Sequence, residues 1–318
     1  MLNYLQYNPE NIYHKELDMN NIMTYKSMLT YKEMEPVLRN LSMVRYSIIK
    51  GETISIAAYN AVGKRTSSDV DILVSRKNLR LFETELLKHG FEKQQSDSST
   101  EQRINRALML SGSHQTSPFY KKKSAFKLCI DLNFDIFWGE YTGKRVDIDD
   151  FLSDTIDIDI YGLKVKVLPP LKAMVQLILH HYKDMNSIFL LATRKSIKYN
   201  MFRDVFYLLK NNIDEISIEK LYAISVEYEV IPYVYYVLYY TGLIYQDVTL
   251  QKYIEAFKTQ EGESLLNCYG LNDSERREWR YDFNTRLESQ NLYDLIKDDL
   301  TDKDRKKISI NKKVFLNV

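Results

Sequence analysis

The chain has 318 residues, 45% of them hydrophobic, long enough to bury a sizeable core in more than one domain. Lysine and arginine number 44 against 43 aspartates and glutamates, a net charge of +1, so no overall field draws the chain to nucleic acid. Cys129 and Cys268 are too few and too separated for a zinc cluster or a disulfide framework, which points to a reducing cytoplasm; no apolar run reaches the roughly twenty residues of a membrane span, and the amino terminus carries no apolar signal core.

Residues 1–40 read as mostly helical and are expected to pack on the core that follows. Tyr46 to Ile49 form a short buried strand, Lys50-Gly51 the turn leaving it, and Thr53 to Ala61 a helix whose first amides face that turn. Free amides at a helix start attract phosphate. Asp69 and Asp71 then open a strand continued by Ile72-Leu73-Val74. Two residues apart, their carboxylates project from one face roughly 6–7 Å apart along the chain, a placement of hard oxygen ligands that suits Mg²⁺.

An Asp-x-Asp pair is shared by several enzyme classes, and its surroundings separate them. A phosphatase with an Asp nucleophile has its apolar strand before the motif, whereas here Ser67-Ser68 precede and the apolar residues follow. A metal-dependent sugar transferase has a doubly wound nucleotide-binding half ahead of the pair, and only one strand and one helix fit between Arg45 and Asp69. Gly63-Lys64 resembles the end of a P-loop, but Ala58 stands where its first glycine belongs and Arg65 where Ser or Thr should be. The nucleotidyltransferase fold remains, and it needs a third carboxylate from a neighbouring strand. Ala125 to Phe137 alternates as a strand with Lys127, Cys129, Asp131, Asn133 and Asp135 on one face. Asp131, between Ile130 and Leu132, is the first choice, since an unpaired charge there is costly to bury; Asp135 is the fallback.

The run Lys50-Gly51, Tyr59, Arg65, Ser68-Asp69-Val70-Asp71-Ile72-Leu73-Val74 and His89-Gly90-Phe91 resembles the uncharacterised bacterial nucleotidyltransferase family related to DNA polymerase beta. Ile130-Asp131-Leu132 is similar to that family's later strand, with Asn133 in the place often held by His, and Leu177, His180 and Phe202-Arg203-Asp204 are similar to its helical half. The likeness spans roughly residues 40 to 240. It implies an α+β fold, a nucleotidyltransferase-type mixed sheet with flanking helices followed by an all-helical second domain. By the same resemblance Asp69, Asp71 and Asp131 would hold two Mg²⁺ ions, with Mn²⁺ as the alternative. Lys50, Gly51, Arg65 and Ser68 would hold the triphosphate of an NTP, ATP being the expected donor. Glu52 departs from the small residue that usually follows the turn glycine; it is expected to favour the positive helix start and to point to solvent.

Further along, Val146 to Phe151 reads as an acidic lead into a helix or loop. Thr155 to Ile160 reads as the first strand of a hairpin turned at Tyr161-Gly162, with Asp159 facing Lys164 and Asp157 facing Lys166 across a solvated face. Leu168-Pro169-Pro170 marks the boundary, so the divisions are 1–40, a catalytic domain over 41–168 and a helical acceptor domain over 169–318 with a charged tail expected to be partly mobile. Helices are expected near 171–184, 200–211, 217–227, 231–244 and 249–258. His180 and His181 are adjacent, about 100° apart on a helix, and are not expected to aim at one site; His180 is expected to be a buried structural histidine, near the substrate or paired with Asp204. Lys121-Lys122-Lys123, Arg276-Arg277 and the basic tail from Lys303 to Lys313 read as solvated faces. The sequence therefore predicts a Mg²⁺-dependent cytoplasmic enzyme that moves a nucleoside monophosphate from NTP to a hydroxyl of a small molecule or protein, in preference to tRNA. The alternative is a catalytically silent nucleotide- or protein-binding scaffold of the antitoxin kind.

Overall fold

A computed structural model describes residues 9–65, 67–93, 99–138, 146–194 and 196–316. The chain opens on a long helix, α1 (Pro9–Asn40); the eight residues before it, expected to be helical as well, lie outside the described residues. There follow β1 (Tyr46–Ile49), α2 (Gly51–Tyr59), β2 (Val70–Val74), α3 (Leu79–Lys88), β3 (Glu92–Lys93), α4 (Ser99–Gly112), β4 (Phe119–Lys123), β5 (Phe126–Asn133), α5 (Ile148–Phe151), β6 (Ile156–Ile160) and β7 (Leu163–Val167). The seven strands make one mixed sheet in the order β3-β4-β5-β2-β1-β7-β6, with β2 antiparallel to β1 and parallel to β5.

Alternation along the strands gives the sheet two unlike faces. Tyr46, Ile48, Val70, Ile72, Val74, Ile130 and Leu132 face one way and pack with Tyr31, Met34 and Val37 of α1 and Phe82 and Leu86 of α3. Ile49 and Leu73 face the other way and join Ile54 and Ala58 of α2 in a core shared with the second half of the chain. Asp71, Asp131 and Asn133, out of phase with the first set, belong to this second face.

The β6–β7 hairpin has the expected register, Asp157 opposite Lys166, Ile158 opposite Val165 and Asp159 opposite Lys164. Its turn puts Tyr161 at φ 55° and Gly162 at φ 81°, two successive left-handed residues whose twist suits a two-residue hairpin. Two elements differ from expectation in their bounds. Helix α2 starts at Gly51, because Lys50 already acts as its N-cap, and β5 stops at Asn133, which leaves Asp135 outside the strand with its Oδ1 accepting from the Phe137 amide at 3.0 Å.

From Pro170 the chain is largely helical: α6 (Pro170–Asn186), α7 (Ile188–Thr193), α8 (Tyr199–Asn211), α9 (Ile218–Glu227), α10 (Ile231–Ile244), α11 (Val248–Phe257) and α12 (Gln260–Leu266). A short ribbon of β8 (Cys268–Tyr269) and β9 (Arg277–Glu278) leads to α13 (Phe283–Glu288), α14 (Leu292–Ile296) and α15 (Asp302–Asn311). The tyrosine-rich α10 is the hub of this half; Tyr233, Val234, Tyr236, Val237 and Tyr240 are all buried, and Tyr240 meets Phe283 with ring centroids 4.3 Å apart. No helix among the described residues is long and apolar enough to cross a membrane. At the junction, Asn211 Nδ2 donates to Ala58 O at 2.7 Å and Asn212 Nδ2 to Ala57 O at 2.8 Å, so α8 answers two carbonyls near the end of α2.

Candidate active site

Register brings the acidic residues together. Asp71 stands opposite Ile49 on one side and opposite Asp131 on the other. Neighbouring strands lie about 4.8 Å apart, so the Asp71 and Asp131 side chains leave the same face side by side. Asp69 falls in the bend just before β2 and not in the strand itself; it is half-buried, and Ser67 Oγ donates to its Oδ1 at 2.6 Å. Asp71 and Asp131 are buried, at 7% and 8% exposure. Burial first, then the charges of Asp71 and Asp69, push the Asp131 carboxyl up to about 7, and Lys50 and Cys129 act against that rise. The three carboxylates thus share one field.

Lys50 closes the site from the turn. It adopts φ 60° and ψ −153°, a backbone conformation that costs a side-chain-bearing residue about 1–3 kcal/mol. Gly51 follows at φ 42°, again in the range that favours glycine. Thr53 holds the turn through its amide and hydroxyl, which donate to Lys50 O at 3.0 and 2.7 Å. The Lys50 Nζ donates to Asp71 Oδ1 at 2.8 Å, where Asn133 Nδ2 also donates at 3.0 Å. On Asp131, Gln115 Nε2 reaches Oδ2 at 3.4 Å from the segment before β4, which is bridged to β5 at Asn133. Ser68 is exposed at the bend, its carbonyl taking Lys26 Nζ at 2.7 Å.

Two residues near the turn have other duties than those expected. Glu52 does not point to solvent. It is buried at 2% exposure, with Oε2 accepting from the Gly63 amide at 2.7 Å and Oε1 from Tyr161 OH at 2.6 Å, so it ties α2 to the loop behind it and to the hairpin. Arg65 pairs through Nε with Oδ2 of Asp204 on α8, and Tyr59 OH donates to Oδ1 of the same carboxylate at 2.5 Å. Burial, then that hydrogen bond, raises the Tyr59 hydroxyl well above its ordinary range.

His180 is not the partner of Asp204; its Nε2 lies 3.3 Å from Asp184 Oδ2. Nor do the adjacent histidines diverge as the helical angle suggested. One ring nitrogen from each and a carboxylate oxygen of Asp184 all lie within 4.8 Å of one another, because long side chains swing back from their Cα directions; among the described residues this is the set of His, Cys, Asp or Glu that meets that spacing. Asp69, Asp71 and Asp131 are not a set of that spacing. Lys183 sits within the same cluster, its Nζ 3.1 Å from His114 Nε2 and 3.4 Å from His180 Nδ1. Burial pulls His114 and His180 well below the ordinary imidazole range and His181 to about 4. An ammonium only donates, so both imidazole nitrogens facing it accept, and the His180 proton is assigned to Nε2, toward Asp184. Arg194 pairs with Asp184 Oδ2 as well. Sequence reasoning passed over Lys183, His114 and Gln115. For Lys183 there was a signal: it follows Leu179 by four residues, which puts a lysine on the apolar face of α6.

The donor set at the sheet is three carboxylates, two of them in register on adjacent strands, and all hard oxygen ligands. Burial and the neighbouring charges of Asp71 and Asp69 lift Asp131, and a divalent cation would offset both; the hard-oxygen donor set suits such a cation.

The profile of a family described as "Uncharacterised nucleotidyltransferase" matches residues 4–246. No curated protein matches the chain. Among solved structures, an antigenic nucleotidyltransferase-like protein from Paracoccidioides brasiliensis is similar at 15% identity and a TM-score of 0.41, over 71% of this chain and 92% of its own.

Proposed function

The chain belongs to the family of uncharacterised nucleotidyltransferases, and on that footing we propose that it moves a nucleoside monophosphate from an NTP, ATP first among them, to a hydroxyl acceptor. The observation that carries this reading is the pair Asp71 and Asp131 in register on parallel strands, with Lys50 at the turn that begins α2. Asp69, Asp71 and Asp131 are the residues that would hold Mg²⁺, which when bound supplies charge neutralisation at the phosphates and a more acidic acceptor hydroxyl. Lys50 and the first amides of α2 bind the phosphate chain, the amides from a helix start that has no preceding turn to answer them. In the transfer, the acceptor oxygen forms a bond to the α phosphorus, the bond from that phosphorus to the bridging oxygen breaks, and pyrophosphate leaves. The hydroxyl proton goes to solvent or to a carboxylate of the site.

Even charge favours a small molecule or a protein over a tRNA end as acceptor. The helical half, packed against the carboxylate face, serves as one wall of the acceptor groove, with 41–168 as the catalytic unit. Two free cysteines suit a reducing cytoplasm. A second reading, a silent scaffold, draws on one observation: Lys50, Asp71 and Asp131 are already partnered and nearly closed over. Incubation with each labelled NTP, Mg²⁺ and cell lysate separates the two. Label transfer that disappears in Asp69→Asn and Asp71→Asn supports the enzyme; transfer unchanged in both variants rejects the site, and none to any component leaves the scaffold.

A further inference from the structure

We infer that Lys183 is a binding residue for the polyphosphate chain of the donor, supplied by the helical half to the same site as Lys50. The inference rests on the nucleotidyltransferase reading above and adds a residue that no sequence motif marked.

The first ground is the fate of Arg65. The guanidinium expected to face phosphate is held by Asp204, which lies at 1% exposure and also takes Tyr59. On the turn side, Lys50 is itself on Asp71, and Lys26 is on the exposed Ser68 carbonyl. A donor with several phosphate charges needs more cation than that.

The second ground is the charge balance at Lys183. It is buried at 8% exposure, and among the described residues its Nζ hydrogen-bonds neutral imidazole nitrogens, not carboxylates. Among the described residues, the acid within 4.0 Å is Asp184, whose Oδ1 is 3.7 Å away and whose Oδ2 is taken by Arg194. An ammonium out of water with one shared, distant counter-charge costs several kcal/mol, and an arriving anion relieves it. Burial, and then the charges of Lys50 and Arg194, draw its pKa down to about 8, with Asp184 and Asp71 acting the other way.

The third ground is position. His114, which receives Lys183, accepts the Phe134 amide on its carbonyl at 2.8 Å, and the next residue, Gln115, bonds Asp131. The ammonium therefore arrives beside the end of the strand that carries Asp131, and it feels both Lys50 and Asp71. The rival occupant of this cluster is a transition metal on His180, His181 and Asp184. It is disfavoured because the Lys183 proton on His180 Nδ1 sets the ring with Nε2 protonated, and because Lys183 and Arg194 already place two cations around a single carboxylate.

The test measures calorimetric binding of inorganic tripolyphosphate with Mg²⁺ to the full chain. Lys183→Met is expected to weaken it roughly ten- to hundredfold, the range for losing a hydrogen-bonded charge, and Lys183→Arg to retain most of it. Binding by Lys183→Met within twofold of the parent overturns the inference, and does so independently of label transfer in Asp71→Asn, which judges the enzyme reading. If Lys183→Met fails to fold, hydrogen exchange on the parent decides: tripolyphosphate must slow exchange across α6 around Lys183, and unchanged exchange overturns the inference. One equivalent of zinc in the purified protein, lost in His181→Ala, would also overturn it in favour of the metal.

Discussion

The guanidinium of Arg65 closes on the carboxylate of Asp204, 139 residues further along the chain and nearly sealed from solvent. With Tyr59 on the other oxygen, that carboxylate joins the loop after α2 to α8 in one buried knot. The functional consequence is that Arg65 stabilises the junction of the halves.

Asp204→Ala should therefore destabilise the fold by about 3 kcal/mol, since it strands a partly buried guanidinium and a partly buried hydroxyl. Urea denaturation would show it as a lower midpoint at unchanged slope. A double-mutant cycle with Arg65→Met should give a coupling of roughly 1–3 kcal/mol; additive effects would show that the pair does not act as a unit.

Asp131→Asn should raise the stability of the protein in chelator at pH 8. The folded carboxyl lies at about 7 and an unfolded one near the ordinary value of about 4. Between those values the folded state holds a proton that the unfolded state has released, so stability falls as pH rises through that window and is level above it. The asparagine, always neutral, escapes a loss on the order of a few kcal/mol. Melting curves at pH 5 and pH 8 would show the variant gaining at the higher pH; equal melting temperatures at both would contradict the shared field of Asp69, Asp71 and Asp131.

Glu52→Ala should cost about 2–4 kcal/mol by orphaning the Gly63 amide and the Tyr161 hydroxyl, while Glu52→Gln should cost less because an amide oxygen still accepts. Thermal melts of the two variants, compared with the parent, check the order. A Glu52→Ala protein as stable as the parent would mean the carboxylate does not brace the turn.

The histidines packed around Lys183 should make the fold acid-labile. His181 sits at about 4, and His114 and His180 well below their ordinary range, all chiefly through burial. Their folded values lie under the unfolded value of about 6.5, so the stability they carry is complete above that pH and is lost as pH falls toward 4. Neither ring nitrogen of His181 has a hydrogen-bond partner among the described residues. His181→Leu should then raise stability at pH 7 by about 1 kcal/mol and flatten the acid limb of a melting-temperature profile; an unchanged acid limb would rule out His181 as a source of it.

Much of the architecture could be read from local pattern. Alternation placed β2 and β5, opposite charges set the β6–β7 register, and a 3.6-residue period located α6 and α8 to α11 within one or two residues. The family seen in the sequence is the one whose profile matches residues 4–246. What escaped were pairings that no local period encodes. Glu52 meets Tyr161 across 109 residues and Lys183 meets His114 across 69; each looked unpartnered or unremarkable in its own window. His180 and His181 misled for a different reason, since Cα directions on a helix do not fix where a flexible ring comes to rest.

The grip of Asn211 and Asn212 on the carbonyls of Ala58 and Ala57 sets a limit on dissecting the molecule. Severing the chain before Pro170 strips those two oxygens of their donors and takes Asp204 away from Arg65 at the same stroke. The strand-bearing fragment, made alone, would inherit a frayed helix behind the very bend that presents Lys50, so dissection would damage the part it was meant to isolate.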